Sequence, residues 1–498
     1  MGAKSPLTGG IKEANSGGTP ATRLAHHGIK ALIIEDAPGK DDLFVLRISR
    51  DAVELTDGSA YRGMGNYALV EKLRQQYGED ISVVSIGPAG EMRLSSSTVA
   101  STDRDGVPAR HAARGGLGAV LGSKGLKAIV IEEGDANAGK TMHDRQTFDE
   151  TVTAFSKYLI EIKAAFTKLG TAIMVDAINN VAGLPTRNYR SGTFEGAEHI
   201  NGTTLYDTIV ARGGRPIHAC MSGCVIRCSN VYNDKEGRRL TSGLEYETIV
   251  MIGANCGVDD LDAIAQLDRL CDDYGIDTIE TGASIGVAME GGLLPFGDTQ
   301  GMIELVKEIG KGSVLGRAIG SGAAAVGRMF GVYRVPVVKG QSMVAYDPRT
   351  LKGMGVTYAT SPMGADHTAG PAIPGRGSLK EDKEYNLTEA EGQTELSRDL
   401  QIMIAVCDTV GFCFFVNPDP HTMRVTAKLL NAKNGWDWTM DDVVALGREA
   451  MRRERAFNLA AGFSPTQDRL PEFFYEEPSP PSGRVFDISQ EALQEVWR

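Results

Sequence analysis

His218-Ala219-Cys220-Met221-Ser222-Gly223-Cys224-Val225-Ile226-Arg227-Cys228 carries three of the seven cysteines of a 498-residue chain, each four positions from the next. Residues i and i+4 lie on one face of a helix, so the stretch reads as a helical segment with its sulfurs in a row. Three close thiols make a soft-metal site that lacks one ligand. The fourth has to come from elsewhere, and its origin decides how the rest of the chain folds around the stretch.

The composition sets the frame. A hydrophobic fraction of 42% and a charged fraction of 23% are ordinary for a globular protein, and the length allows about three domains. A net charge of −12 excludes a nucleic-acid binder that relies on a broad basic surface. No apolar run approaches the ~18 residues of a membrane helix. Residues 1–30 lack a charged-then-apolar signal pattern. With no export signal and an odd cysteine count, a disulfide framework is not expected. The chain therefore reads as cytoplasmic, with reduced cysteines available as ligands.

Outward from the cysteines, the fold class reads as α+β: a β-rich base domain over residues 1–138, then two mostly helical domains over 139–338 and 339–498. Ala31–Ile34, Phe44–Ile48, Ile81–Ile86 and Lys127–Ile131 are short apolar runs bounded by turn residues, and each is expected as a strand. The chain opens directly on turn chemistry, Ser5-Pro6-Leu7-Thr8-Gly9-Gly10. Helical spacing of apolar residues then predicts helices over 148–169, 171–182, 302–331, 396–408, 422–432 and 440–460. Asp259-Asp260 and Gly275 are the start and stop signals of a helix over 261–274. Residues 340–380, dense in Gly, Pro and Met, are expected as loop.

Arg114-Gly115-Gly116-Leu117-Gly118-Ala119-Val120-Leu121-Gly122-Ser123-Lys124 is neither a P-loop nor a dinucleotide fingerprint. The order Gly-Ser-Lys is wrong for the first, and Leu121 stands where the second needs a glycine. A tight glycine turn or a backbone cradle for another phosphate both fit.

One short repeat matters. Asp272-Asp273-Tyr274-Gly275-Ile276-Asp277 and Asp408-Thr409-Val410-Gly411-Phe412-Cys413 share the form Asp-x-x-Gly-apolar-Asp/Cys, each at the end of an expected helix. An acid in the last helical turn opposes the macrodipole at a cost of about 0.3–1 kcal/mol. Two such costs in one local frame suit two equivalent polar ligands about a pseudo-two-fold axis. The second copy ends in Cys413, the natural fourth partner of Cys220, Cys224 and Cys228. Four thiolates hold zinc or an iron–sulfur cluster, and spacing alone does not decide between them. Three clustered cysteines plus one remote cysteine are the commoner pattern for a cubane. Glu247, in Glu245-Tyr246-Glu247-Thr248 before an apolar run, and His367, in a Gly/Pro-rich loop, are the acid–base candidates.

Taken together, these motifs resemble the aldehyde:ferredoxin oxidoreductases, enzymes with a bis-pyranopterin tungsten or molybdenum cofactor beside one [4Fe-4S] cluster. The resemblance runs from Ser5-Pro6-Leu7-Thr8-Gly9 through Ile86-Gly87-Pro88-Ala89-Gly90-Glu91, the Arg114 motif, Leu126-Lys127-Ala128-Ile129, Glu245–Thr248 and both caps. It continues to Gly364-Ala365-Asp366-His367 and Asp468-Arg469-Leu470-Pro471. It implies that Cys220, Cys224, Cys228 and Cys413 hold the cluster. Asp272, Gly275 and Asp277 would bind one pterin, and Asp408 and Gly411 the other. Arg114, Gly115 and Gly116 would lie by the pterin and its phosphate, with magnesium bridging the phosphates. Glu247 and His367 would stand at the metal as proton-transfer groups.

The implied activity is oxidation of an aldehyde to a carboxylic acid with ferredoxin as electron acceptor, in a homo-oligomer or with partner redox subunits. The alternatives are a same-fold reductase of another carbonyl or an activated aromatic acid, or a truncated, non-catalytic iron–sulfur protein. Two departures stand out. Three residues separate Cys220 from Cys224, where the best-known members have two. The chain also begins after an N-terminal segment that family members carry, and so reads as an N-terminally short member.

Overall fold

A computed structural model describes residues 1–138 and 141–497, so the boundary expected at 138/139 meets two positions outside the described residues. The opening turn residues close a hairpin between β1 (Gly2–Lys4) and β2 (Ile11–Glu13). Ser5 Oγ accepts from the N–H groups of Leu7 and Thr8 at 3.1 and 3.0 Å.

The base domain is built on a six-stranded mixed sheet. Its strands are β3 (Phe44–Ile48), β4 (Val53–Asp57), β5 (Ser82–Ser85), β6 (Val99–Ser101), β7 (Arg110–Ala112) and β8 (Leu126–Ile131), in the order β4-β3-β8-β5-β6-β7. Only β3 and β8 pair in parallel. β8 is buried along its whole length because helices cover both faces. Leu69, Val70 and Leu73 of α1 (Asn66–Tyr77) pack on one face, and Leu117 of α2 (Leu117–Ser123) on the other. Lys127 sits inside this strand without an orphan charge: its Nζ donates to Met64 O and Ile86 O, both at 2.8 Å, and pairs with Glu91. Ala31–Ile34 is not a strand. The run is coil, with Ile33 80% exposed; of this stretch and its approach only Ile29 and Ile34 lean on the sheet core, so too little apolar surface is buried to hold it as a strand.

Beyond residue 144 the chain is mainly helical, as its apolar spacing predicts. The elements that frame the site are α3 (Arg145–Ile162), α4 (Leu261–Tyr274), α5 (Thr278–Glu290), α6 (Lys352–Thr360), α7 (Gln393–Val410), α8 (Pro420–Asn434) and α9 (Met440–Ala460). The helix expected over 302–331 is three: Thr299–Lys311, Val314–Ile319 and Ala323–Phe330. The helical region also holds an antiparallel sheet of β9 (Arg215–His218), β10 (Ser229–Asn233) and β11 (Arg239–Ser242). The boundary expected at 338/339 falls inside a small hairpin, β12 (Val337–Val338) with β13 (Gln341–Ser342).

The stretch expected as loop contains α6, fully buried. Its glycines are contact points. A Cβ on Gly353 would lie 2.6 Å from Ala372 Cβ, and one on Gly355 would lie 2.3 Å from the Phe486 ring. One contiguous core runs from Ala89 and Leu94 of the base domain to Val496 and includes residues of both helical segments. Among the described residues no helix is long and apolar enough to cross a membrane.

Candidate active site

Helices α4 and α7 end in the same local geometry. Gly275 (φ 70°) and Gly411 (φ 78°) take the left-handed conformation that L side chains avoid. The Gly275 N–H donates to Asp272 O at 3.2 Å and the Ile276 N–H to Cys271 O at 2.9 Å. The Gly411 N–H donates to Asp408 O at 3.2 Å and the Phe412 N–H to Cys407 O at 2.8 Å. The sixth residue of each copy then caps the next helical turn. Asp277 accepts from the Ile279 N–H at 3.0 Å, and Cys413 Sγ from the Phe415 N–H at 3.4 Å. The repeat read in sequence is a repeat in space.

The first cap is bound into the base domain. Asn66 donates to Asp272 O at 2.7 Å, the Tyr67 hydroxyl to Asp272 Oδ2 at 3.2 Å, and the Thr98 N–H to Gly275 O at 2.8 Å. His111 Nε2 lies 3.1 Å from Asp272 Oδ1. Burial pushes the Asp277 carboxyl up to about 6, against the pull of Arg114.

Arg114 is buried and engaged by the protein. Its Nε lies 3.4 Å from Asp277 Oδ2, Nη1 donates to Ala365 O at 2.7 Å, and Nη2 donates to Ser342 O at 2.7 Å. Gly115 and Gly116 both have positive φ. A Cβ on Gly116 would lie 2.2 Å from Ser95 O, and one on Gly115 would lie 2.4 Å from Lys12 Cγ. These glycines are sites of close protein packing, which matches the tight-turn reading.

The second cap is sparsely partnered. Asp408 Oδ1 accepts from Asn15 Nδ2 at 2.9 Å. Burial, reinforced by Glu13, pushes its carboxyl up to about 8. Burial and Glu13 likewise push Glu454 up to about 7, with Lys12 opposing. A Cβ on Gly411 would meet no atom within 4 Å. Partly buried carboxyls short of donors suit the N–H groups of a pterin, so the residues fit that group.

The cysteine stretch is not helical. It is a loop joining β9 to β10, with Gly223 at φ 79° and Arg227 at φ 50°, conformations that break any i, i+4 row. The four thiols nonetheless lie near enough to act on one another's charge. Burial raises the thiols of Cys220, Cys228 and Cys413, the last to about 12, and each is raised further by charge on others of the four. None is in a disulfide. Mutual repulsion among clustered thiolates is what a cation-rich centre relieves, so the donor set fits an iron–sulfur cluster. Cys256, Cys271 and Cys407 are buried singly, as inert core cysteines are.

Glu247 and His367, 120 positions apart, are brought together. Glu247 stands on the short turn Tyr246–Thr248, which runs into a π-helical turn over Ile249–Gly253. His367 Nε2 lies 3.2 Å from Glu247 Oε1, with the two side chains 12% and 18% exposed. Burial pushes the Glu247 carboxyl up, but His367 and a hydrogen bond from Tyr346 outweigh it and hold it below the usual range. Glu245 instead is raised by burial, with Thr171 Oγ1 donating to it at 2.6 Å. His367 Nδ1 is buried without a partner among the described residues.

Sequence reasoning did not find the buried pair of Lys12 and Asp366, next to His367. Burial opposes the Asp366 charge, but Lys12 and Arg114 hold the carboxyl far below its usual range. The available signal was a lysine in the alternating strand Ile11-Lys12-Glu13, on the face that turns inward.

Comparison with known proteins matches two stretches of the chain. Residues 1–133 match the family model described as aldehyde ferredoxin oxidoreductase, N-terminal domain, and residues 150–498 match its domains 2 and 3. The chain is 34% identical to the tungsten-containing aldehyde ferredoxin oxidoreductase of Pyrococcus horikoshii, over 96% of this chain and 79% of that protein. Its identity to the enzyme of the same name from Pyrococcus furiosus is 32%, with the same coverage. Among solved structures, the active-site complex BamBC of benzoyl coenzyme A reductase, bound to 1,5-dienoyl-CoA, is similar in fold. Its TM-score is 0.79 at 17% identity, over 99% of this chain and 81% of that one.

Proposed function

The chain belongs to the aldehyde ferredoxin oxidoreductase family, and from that premise we propose a division of labour within its site. The activity is oxidation of an aldehyde to a carboxylic acid, with electrons delivered to ferredoxin. Cys220, Cys224, Cys228 and Cys413 would hold a [4Fe-4S] cluster. The caps at Asp272–Asp277 and Asp408–Gly411 would accept the N–H groups of a bis-pyranopterin carrying tungsten, with magnesium at its phosphates. When bound, that cofactor supplies the two-electron redox chemistry, and the cluster the route outward.

The chain's own residues do the rest. Arg114 ties the first cap to Ser342 and Ala365, which fixes Asp277; Gly115 and Gly116 let that turn close on Lys12 and Ser95. Glu247, held ionised, accepts a proton during turnover. His367 orients that carboxylate through Nε2 and offers Nδ1 to a substrate oxygen. We propose residues 1–138, 139–338 and 339–498 as base, cysteine-bearing and closing units. Assembly as a homo-oligomer, or with a further redox subunit, belongs to the same proposal and is read by mass in solution.

The observation that carries this reading is the contact of Glu247 with His367 at 3.2 Å, together with the unpartnered, buried Nδ1. In tungsten-loaded protein, Glu247→Gln and His367→Asn should each lower aldehyde-dependent viologen reduction by about 10²-fold, with iron and tungsten contents unchanged. Full turnover in both variants would overturn the assignment.

A further inference from the structure

Two of the buried polar atoms without a partner among the described residues belong to one arginine. Arg110, on β7, is 8% exposed. Its Nη1 donates to Ser229 Oγ at 2.8 Å, while Nε and Nη2 have no acceptor. Ser229 directly follows Cys228 and opens β10. Gly243, just past β11, approaches so closely that a Cβ there would lie 2.5 Å from Nη1. The guanidinium is therefore locked in a slot between the base sheet and the β9–β11 sheet.

The surroundings of Arg110 are acidic. Its charge acts on Cys220, Asp103, Glu245 and Asp268, yet no ion pair joins it to any of them among the described residues. A buried guanidinium with idle donors and no paired carboxylate is costly. A purely structural brace accounts for Nη1 and leaves the other two donors unexplained. A bound cation at the adjacent Asp103, Asp105 and His218 would not explain them either. Arg215 and Arg239 already sit on Asp105, and a further positive charge beside Arg110 would be repelled.

We propose that Arg110 is a positioning residue of the cysteine-held cluster, anchoring the end of its loop through Ser229 and keeping a fixed positive charge with two free N–H donors beside it. This rests on the reading of the four cysteines as an iron–sulfur site. A reduced cluster is one charge more negative than an oxidised one. A buried cation nearby stabilises the reduced form and raises its potential.

The test uses the holoenzyme and its Arg110→Gln and Arg110→Lys variants, read by iron content, thermal unfolding of the metal-free chain and an EPR-monitored redox titration. The expected result is full iron in both variants, a lower midpoint potential in Arg110→Gln and a potential near wild type in Arg110→Lys. Loss of iron from Arg110→Gln alone, with metal-free unfolding unchanged, supports the anchoring role. Wild-type potentials in both variants overturn the proposal. So does loss of iron from both with lowered metal-free stability, which marks a brace and nothing more. A wild-type protein without a cluster signal instead overturns the underlying reading of the site, and is told apart by that observation.

Discussion

At Asp272–Asp277, α4 ends against the base sheet: Asn66, Tyr67 and Thr98 all donate to the cap, and a Cβ on Gly275 would lie 2.7 Å from Gly87 N. At Asp408–Cys413, α7 ends with the same backbone, yet Gly411 faces open space and Asp408 shares its pocket mainly with other acids. One motif thus serves in two states of completion. The difference teaches that an Asp-x-x-Gly cap is a backbone device first. Whether its acid is satisfied by protein or left for a ligand depends on what packs against it.

The contrast breaks first, and hardest, at the glycines. Gly275→Ala combines a left-handed penalty with a backbone clash and should lower stability by about 3 kcal/mol or more, read as a large fall in the unfolding temperature of the metal-free chain. A small fall would mean that the first cap is not tied to the base sheet.

The second expected effect is on pH dependence. The Asp408 carboxyl titrates near 8 in the folded chain against about 4 when unfolded. Its folded value is raised, so the stability it allows is complete below about pH 4 and is lost as pH rises toward 8. Glu454, near 7 when folded, acts in the same sense. Asp408→Asn should flatten the fall in metal-free stability across that window and raise stability at pH 8; an unchanged slope would contradict the open-cap description.

Smaller effects sharpen the comparison. Gly411→Ala carries only the conformational penalty, about 1 kcal/mol, but its methyl projects into the space assigned to the second pterin. Tungsten retention should therefore fall more than stability does. Tyr67→Phe removes one hydrogen bond from Asp272 and should cost about 1 kcal/mol; at the second cap the comparable donor on the aspartate is Asn15.

Legibility in the sequence divides in the same way, between local and distant causes. The ends of α4, set by Asp260 and Gly275, are legible because capping is a contact between near neighbours. The proposed grouping of Cys413 with the loop cysteines, supported by their mutual charge effects, is suggested in the sequence only by the repeat that places it at a cap. The cysteine stretch misleads as a helix because i, i+4 spacing says nothing of the left-handed turns at Gly223 and Arg227. Gly353 and Gly355 look like loop residues until Ala372 and Phe486 are packed against them. Lys12 with Asp366, and Arg110 with Ser229, join positions far apart in the chain, and no local pattern marks such pairs.

The central claim is that the cysteine loop and the two caps converge on one redox centre. The most direct measurement is the metal content of the purified protein together with its EPR spectrum before and after addition of an aldehyde. The account predicts about four irons and a tungsten bound in the same chain, with an iron–sulfur signal that grows on aldehyde addition alone. About one zinc per chain, with no iron and no response to aldehyde, would contradict it.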